Sequence, residues 1–274
     1  MQKAQTPTQQ QVGRLLLTGA AGGLGQVLRR ELKAFARVLR VSDREPLAPA
    51  GAGEEVVPCD LADRAAVHRL VEGVDAIAHF GGISVEGPFD PILQSNIVGV
   101  FNVYEAARKH GVKRVVFASS NHVVGFRRQD ERIDADAPVR PDGMYGISKA
   151  FGENLSRFYF DRYGIETACL RIGSSFPAVR DRRMLATFLS YRDLVELVRC
   201  ALFVPRLGHT IVFGASNNSA SWWDNRAAAH LGFVPRDSAD AQRERVEAES
   251  PPLDPQDPAR IYQGGVFVRT GPFD

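Results

Sequence analysis

Apolar residues along this chain fall in two rhythms: short, almost unbroken runs, and longer stretches where they recur every three or four positions. The unbroken runs at 14–18 (RLLLT), 37–42, 55–57, 75–79, 114–118, 166–172 and 209–213 predict strands. The stretches 23–36, 64–71, 91–109, 145–163 and 191–204 predict helices. In 91–109 the residues Ile92, Leu93, Ile97, Val100, Phe101, Val103, Tyr104 and Ala107 keep helical spacing, and Gly111 stands where that helix should stop. Apolar strands separated by amphipathic helices are buried on both faces of a parallel sheet. The predicted fold class is therefore α/β, a Rossmann-type doubly wound parallel sheet, with a small C-terminal lobe in the looser sequence after residue 173.

Composition narrows the function classes. Of 274 residues, 44% are hydrophobic and 24% charged, enough for a large buried core. Lys plus Arg is 34 against 32 for Asp plus Glu, a net charge of +2, so no nucleic-acid partner is expected. The one dense basic run is 180–183, with Asp181 inside it. Cys59, Cys169 and Cys200 are far apart and form no CxxC pair, which predicts buried thiols in a reducing compartment. The polar first residues carry no apolar signal-peptide core, and no run of about 20 apolar residues occurs. A cytoplasmic protein without a membrane span is expected. The six histidines show no HxxxH or HExxH spacing, so no metal is expected.

The first strand ends in TGAAGGLG, where Gly19, Gly22 and Gly25 are spaced GxxGxxG just before a helix. Glycines let the backbone turn tightly against a pyrophosphate, and the helix N-terminus presents free N–H groups. Gly23 and Leu24 belong to the same turn. Asp43 ends the second strand, where a carboxylate accepts from ribose hydroxyls and repels a 2′-phosphate, favouring NAD over NADP despite the adjacent Arg44. Asp60 and Leu61 follow the third strand, either touching the adenine ring or capping the next helix.

Tyr145 and Lys149 form YxxxK in YGISK, on one face of a helix. An ammonium beside a phenol favours its ionised form, so Tyr145 can take a hydroxyl proton while hydride leaves for the cofactor. Ser119 and Ser120 end the fifth strand, at the edge where a doubly wound sheet binds its ligand. Ser120 is the candidate for holding the substrate oxygen, and Ser119 for the cofactor or a turn.

These motifs, in this order, resemble the extended short-chain dehydrogenase/reductase family from about residue 13 to 215. The segments GGISVEGPFDPILQSNI, SSNHVVGF, RPDGMYGISKAFGENL, RIGSSFP, GASNNSASWWDN and QGGVFV are similar to a group within it that oxidises hexuronates. The resemblance implies oxidation of glucuronate or galacturonate at C1 with NAD, giving the aldarolactone. The chain is expected to divide into a disordered tail (1–12), read from its polar residues, an NAD-binding domain (13–173) and a mainly substrate-binding lobe (174–274) from which 191–215 returns to the first domain. A homo-oligomer is also implied. A uronate carboxylate needs a cation, for which Arg183 is the best-placed residue, with Ser174 beside it. Ser84 and Asn121 are candidates for sugar hydroxyls, and Phe267 for closing over the substrate. His122 is expected to orient rather than to act as base. Trp222 and Trp223 are expected to anchor the lobe. Glycine at position 23 and Ser175 depart from residues common in the group, without touching the proposed chemistry. Two other readings stand beside this one: a nucleotide-sugar epimerase or dehydratase, and a non-catalytic dinucleotide-binding sensor.

Overall fold

A computed structural model describes residues 10–252 and 254–273, so most of the expected N-terminal tail lies outside the described residues. The elements are β1 (Val12–Thr18), α1 (Gly23–Glu31), β2 (Ala36–Ser42), β3 (Glu54–Val56), α2 (Arg64–Val71), β4 (Ala76–His79), α3 (Phe89–Ile92), α4 (Gly99–His110), β5 (Arg114–Ser120), α5 (Met144–Tyr163), β6 (Glu166–Ile172), α6 (Met184–Thr187), α7 (Tyr191–Phe203) and β7 (His209–Gly214). The seven strands form one parallel sheet in the order β3-β2-β1-β4-β5-β6-β7. The chain leaves β1 toward β2 and β3, then crosses back to β4 on the other side. The strand ends between β1 and β4 therefore splay into the crevice where such sheets bind ligands.

Alternation along β1 shows why the sheet has two covered faces. Leu15 and Leu17 pack in one layer with Leu28 of α1 and Leu194, Leu197 and Leu202 of α7. Leu16 packs in the other with Val67 and Leu70 of α2, Val103 and Tyr104 of α4 and Tyr159 of α5. Each such side chain removed from water contributes about 1.5–3 kcal/mol, so this double burial makes the run of leucines intelligible.

Two predicted helices are interrupted. The 23–36 helix ends its α-helical part at Glu31 and tightens to a 3-10 turn over Leu32–Phe35 before β2. The 91–109 helix is broken by a π-helical turn, Leu93–Val98, between α3 and α4. That turn carries Asn96, which is buried and bonds to both the N–H and the carbonyl of Ile83 at 2.8 and 2.9 Å. An inserted residue in a helix commonly re-aims a side chain in this way.

The C-terminal lobe has little regular structure. Trp223 is buried, stacks on Phe213 at 4.9 Å and donates through Nε1 to Gln263 Oε1 at 2.9 Å. The tryptophans thus pin the lobe to β7, and Trp222 packs edge-on against Trp223. All three cysteines are buried. No helix among the described residues is long and apolar enough to cross a membrane.

Candidate active site

A cavity of about 1060 Å³ runs along the C-terminal ends of the strands. Gly19, Gly22, Gly23, Leu24, Gly25, Asp43, Asp60, Leu61, Ser84, Ser119, Ser120, Asn121, Tyr145, Lys149, Ser174, Arg183 and Phe267 all line it.

At one end the lining is backbone. Gly19 has φ +75°, and a Cβ there would lie 2.5 Å from the Phe80 carbonyl. A Cβ on Gly25 would lie 1.9 Å from the Gly19 oxygen, so α1 can pack this close to β1 only through glycine. Gly22 is the N-cap of α1 and supplies no side-chain acceptor, while a Cβ on Gly23 would meet open space. The positive end of α1 therefore faces the cavity uncapped, which suits a phosphate. Asp43 Oδ2 accepts from the Ala21 N–H at 2.9 Å and Oδ1 from the Glu45 N–H at 3.1 Å, tying the glycine turn to the end of β2. Arg44 is exposed and paired with Glu45. Asp60 is not a helix cap: Asp63 caps α2, accepting from Ala65 and Ala66, and the Asp60 carboxylate accepts from the Ala62 N–H. This cradle fits a dinucleotide.

The middle of the cavity holds the titrating groups. Tyr145 sits in the first turn of α5 and is buried. Burial pushes its phenol up to about 12, against a hydrogen bond from Ser120 that lowers it. Lys149, one turn on, lies on the same helix face, as the spacing suggested. Its Nζ donates to the Ala118 carbonyl at 2.8 Å and lies 5.7 Å from the Tyr145 ring centre, and burial brings its pKa down to about 8. The Ser120 hydroxyl also accepts from the His122 N–H at 3.2 Å. The Ser119 hydroxyl is directed elsewhere: it donates to Glu153 Oε1 at 2.6 Å, and Glu153 is paired with the fully buried Arg171. Ser119 therefore meets the cavity without a free hydroxyl proton.

The far end is made of side chains that hold one another. Arg183 Nε donates to the Gln263 carbonyl at 2.7 Å and Nη1 to Ser174 Oγ at 3.2 Å. Nη2 donates to the Asn121 amide oxygen at 2.7 Å, in the amide orientation that also lets Asn121 donate to the Ile172 carbonyl. A guanidinium has five N–H groups, so one remains on each Nη. Burial lowers the Arg183 pKa to about 10, which leaves it charged at neutral pH. A half-buried guanidinium with one N–H left over on each Nη can receive a carboxylate. Beside it His122 donates to or accepts from Asp142 Oδ2 at 2.7 Å. Burial lowers the His122 pKa, against the opposing pull of Asp142. Phe267 is half-buried, stacked 3.9 Å above the His122 ring and edge-on to Tyr145 at 6.3 Å, so it faces the cavity and not the core.

Several residues in this arrangement have no local signal in the sequence. Asp142 orients His122 and is wedged against Gly125 and Gly264, at either of which a Cβ would lie 1.9 Å from its oxygen. Glu86 accepts from the Met144 and Tyr145 N–H groups, both at 2.9 Å. Gln263 is fully buried and ties Arg183 to Trp223. Asn96 did leave a signal: a polar residue on the apolar stripe between Ile92 and Val100.

Comparison with known proteins supplies the context. The model of the NAD-dependent epimerase/dehydratase family matches residues 15–201. A uronate dehydrogenase of Pseudomonas putida is 65% identical over 95% of this chain and 97% of its own length. A mutant uronate dehydrogenase from Agrobacterium tumefaciens, solved in complex with NAD, superposes with a TM-score of 0.93 at 52% identity, covering 95% of this chain and 98% of that one. A glucuronic acid dehydrogenase structure from Chromohalobacter salexigens gives the same TM-score, identity and coverage.

Proposed function

The chain belongs to the NAD-dependent epimerase/dehydratase family, and from that premise we infer that it oxidises a hexuronate, glucuronate or galacturonate, at C1 to the aldarolactone. It is an NAD-dependent oxidoreductase. The observation that carries the substrate class is Arg183, half-buried and charged, which lines the same cavity as Tyr145 and keeps one unused N–H on each Nη.

When bound, NAD supplies the acceptor for the hydride that leaves C1. Gly19, Gly22, Gly23, Leu24 and Gly25 would hold its pyrophosphate, Asp43 its adenosine ribose, and Asp60 and Leu61 its adenine side. Lys149 would hold the nicotinamide ribose. Arg183 and Ser174 grip the sugar carboxylate, Asn121 and Ser84 its hydroxyls, and Phe267 covers the ring. The Ser120 hydroxyl holds the C1 oxygen, and Tyr145 Oη takes its proton. The Lys149 ammonium favours the phenolate, opposing the burial that holds the proton on, and the positive charge of bound NAD would act in the same direction. The ring oxygen remains bonded to C1 throughout, so the product is a lactone.

In the same reading residues 13–173 with 191–215 form the dinucleotide-binding domain, which also supplies Ser84, Ser120, Asn121 and Tyr145 to the sugar, and the rest of 174–274 is mainly the substrate-binding lobe. Free, buried cysteines agree with a reducing cytoplasm. The exposed Phe101 of α4 and Phe158 of α5 give a homo-oligomer an apolar face to bury.

The test is absorbance at the NADH band with purified protein, NAD and either uronate, with glucose, galactose and NADP as controls. NADH is expected with the uronates and not with the neutral sugars. Turnover of the neutral sugars at the same rate would remove the carboxylate grip from the account.

A further inference from the structure

The helix that carries the base has no side-chain N-cap of its own. Its N-cap is Gly143, without a side chain, and its first turn holds no acidic residue. The missing acceptor comes from a different loop. Glu86 Oε1 accepts from the Met144 N–H and Oε2 from the Tyr145 N–H, each at 2.9 Å. The carboxylate thus satisfies two of the free donors at the start of α5, and its charge sits at the positive end of a 20-residue helix. The fit depends on Gly143, where a Cβ would lie 2.1 Å from Glu86 Oε2.

Glu86 lies two residues beyond Ser84, in the loop between β4 and α3. That loop is joined to α5 at a second point. Asn96 brackets the peptide of Ile83 and donates to Ser148 Oγ at 2.9 Å, and Ser148 in turn donates to the Tyr145 carbonyl at 2.7 Å. The Tyr145 main chain is therefore gripped on its N–H by Glu86 and on its carbonyl by a chain that leads to Ile83. Both grips end in the stretch that presents Ser84 to the cavity. The Asn96–Ser148 contact is buried, whereas the Glu86 contacts are exposed at Met144 and only part-buried at Tyr145, so Glu86 is the end more open to release.

We propose that Glu86 is a positioning residue, latching the Ser84 loop to the first turn of α5 so that the sugar-facing loop and the Tyr145 base are set in one register. The proposal rests on the uronate reading for its kinetic consequence but not for the latch itself. A loop loosened from α5 misplaces Ser84 and Tyr145 together, while the glycine cradle across the sheet is untouched. Orientation losses of an ångström cost about 100-fold in rate. One cut should therefore raise the KM for uronate and lower kcat without changing NAD binding.

The experiment compares wild type with Glu86→Ala and Glu86→Gln. The glutamine is nearly isosteric, but its NH2 must face one of two N–H donors, so it guards against a variant that simply fails to fold. With glucuronate and NAD, kcat is expected to fall about tenfold or more and the KM for glucuronate to rise about fivefold, with the Kd for NAD within about twofold. Amide hydrogen exchange on the cofactor-free protein is expected to speed up together in peptides covering 82–88 and 143–147, and nowhere else in the sheet. A fall in kcat alone at unchanged KM would reduce Glu86 to a contribution to folding and overturn the proposal. Unchanged exchange in either segment would overturn it as well. If wild type makes no NADH from any uronate, the substrate reading fails, while the exchange result still decides the latch.

Discussion

At the dinucleotide end of the cavity the phosphate cradle and the ribose carboxylate are the backbone of 19–25 and Asp43 just past β2, within 25 residues of one another in sequence. At the sugar end they are side chains drawn from across the chain: Arg183 is held by Gln263, 80 residues on, and His122 by Asp142, 20 residues on. The first end binds through conformation, which glycine and a strand end supply locally. The second binds through charge in a buried place, which needs every donor accounted for by a partner from elsewhere. On the proposed function, a cofactor shared by many enzymes is met by local geometry, and a particular sugar acid by long-range assembly. Changes at one end should therefore leave the other intact.

The largest expected effect tests the hinge between the ends. Tyr145→Phe removes the proton acceptor and keeps the ring edge-on to Phe267. The kcat should fall by about a thousandfold, with NAD affinity within about twofold by fluorescence titration. Near-normal turnover would mean that another group takes the proton.

Next comes Arg183→Lys, which keeps a charge and loses the fork. An ammonium cannot serve Gln263, Ser174, Asn121 and a carboxylate at once. Losing roughly 3 kcal/mol of charge-assisted hydrogen bonding predicts a drop of about 100-fold or more in kcat/KM for uronate, with the Kd for NAD unchanged. A parallel fall in NAD affinity would break the division into two independent ends.

The pH course is a gentler test of the middle of the cavity. Burial holds the Tyr145 proton up to about 12, so oxidation should accelerate as pH rises through neutrality. Lys149 has been brought down to about 8 by burial, so its ammonium is lost above that pH and the gain should level off there. A rate constant that is flat from pH 6 to about 9 would show that neither group titrates in the rate-limiting step.

The same contrast explains what the sequence could and could not disclose. Strands, helices and the glycine turn depend on neighbours in sequence, so the sheet, its parallel order and the cofactor end were legible from apolar rhythm and spacing. Tyr145 and Lys149 were proposed from the YxxxK spacing, Ser120 from its place at a strand end and Arg183 from the cation a uronate requires, and the structure brings all four to one cavity. Their partners were not legible. Glu86, Asp142 and Gln263 are ordinary loop residues until folding sets them against α5, His122 and Arg183. Ser119 shows the reverse: it occupies a strand end like Ser120, but its hydroxyl is directed to Glu153, a contact that no spacing announces. The π-helical turn at Leu93–Val98 was hidden too, because one inserted residue scarcely disturbs the apolar stripe.

The smallest expected effect lies at the cofactor end, where it sharpens the comparison from the other side. Asp43→Asn keeps an oxygen for the Ala21 N–H and almost the same shape, so the glycine turn should stay in place. What it removes is the negative charge that ribose hydroxyls bind and a 2′-phosphate avoids. A charged hydrogen bond lost to a neutral one costs about 1.5 kcal/mol, so the KM for NAD should rise about tenfold and NADP should become a measurable substrate. The KM for uronate and the kcat at saturating NAD should stay within about twofold, because no hydrogen bond of Asp43 leads to Arg183 or Tyr145. If the uronate KM moves as far as that for NAD, the two ends communicate through β2 and the glycine turn, and local geometry and long-range assembly are one system rather than two.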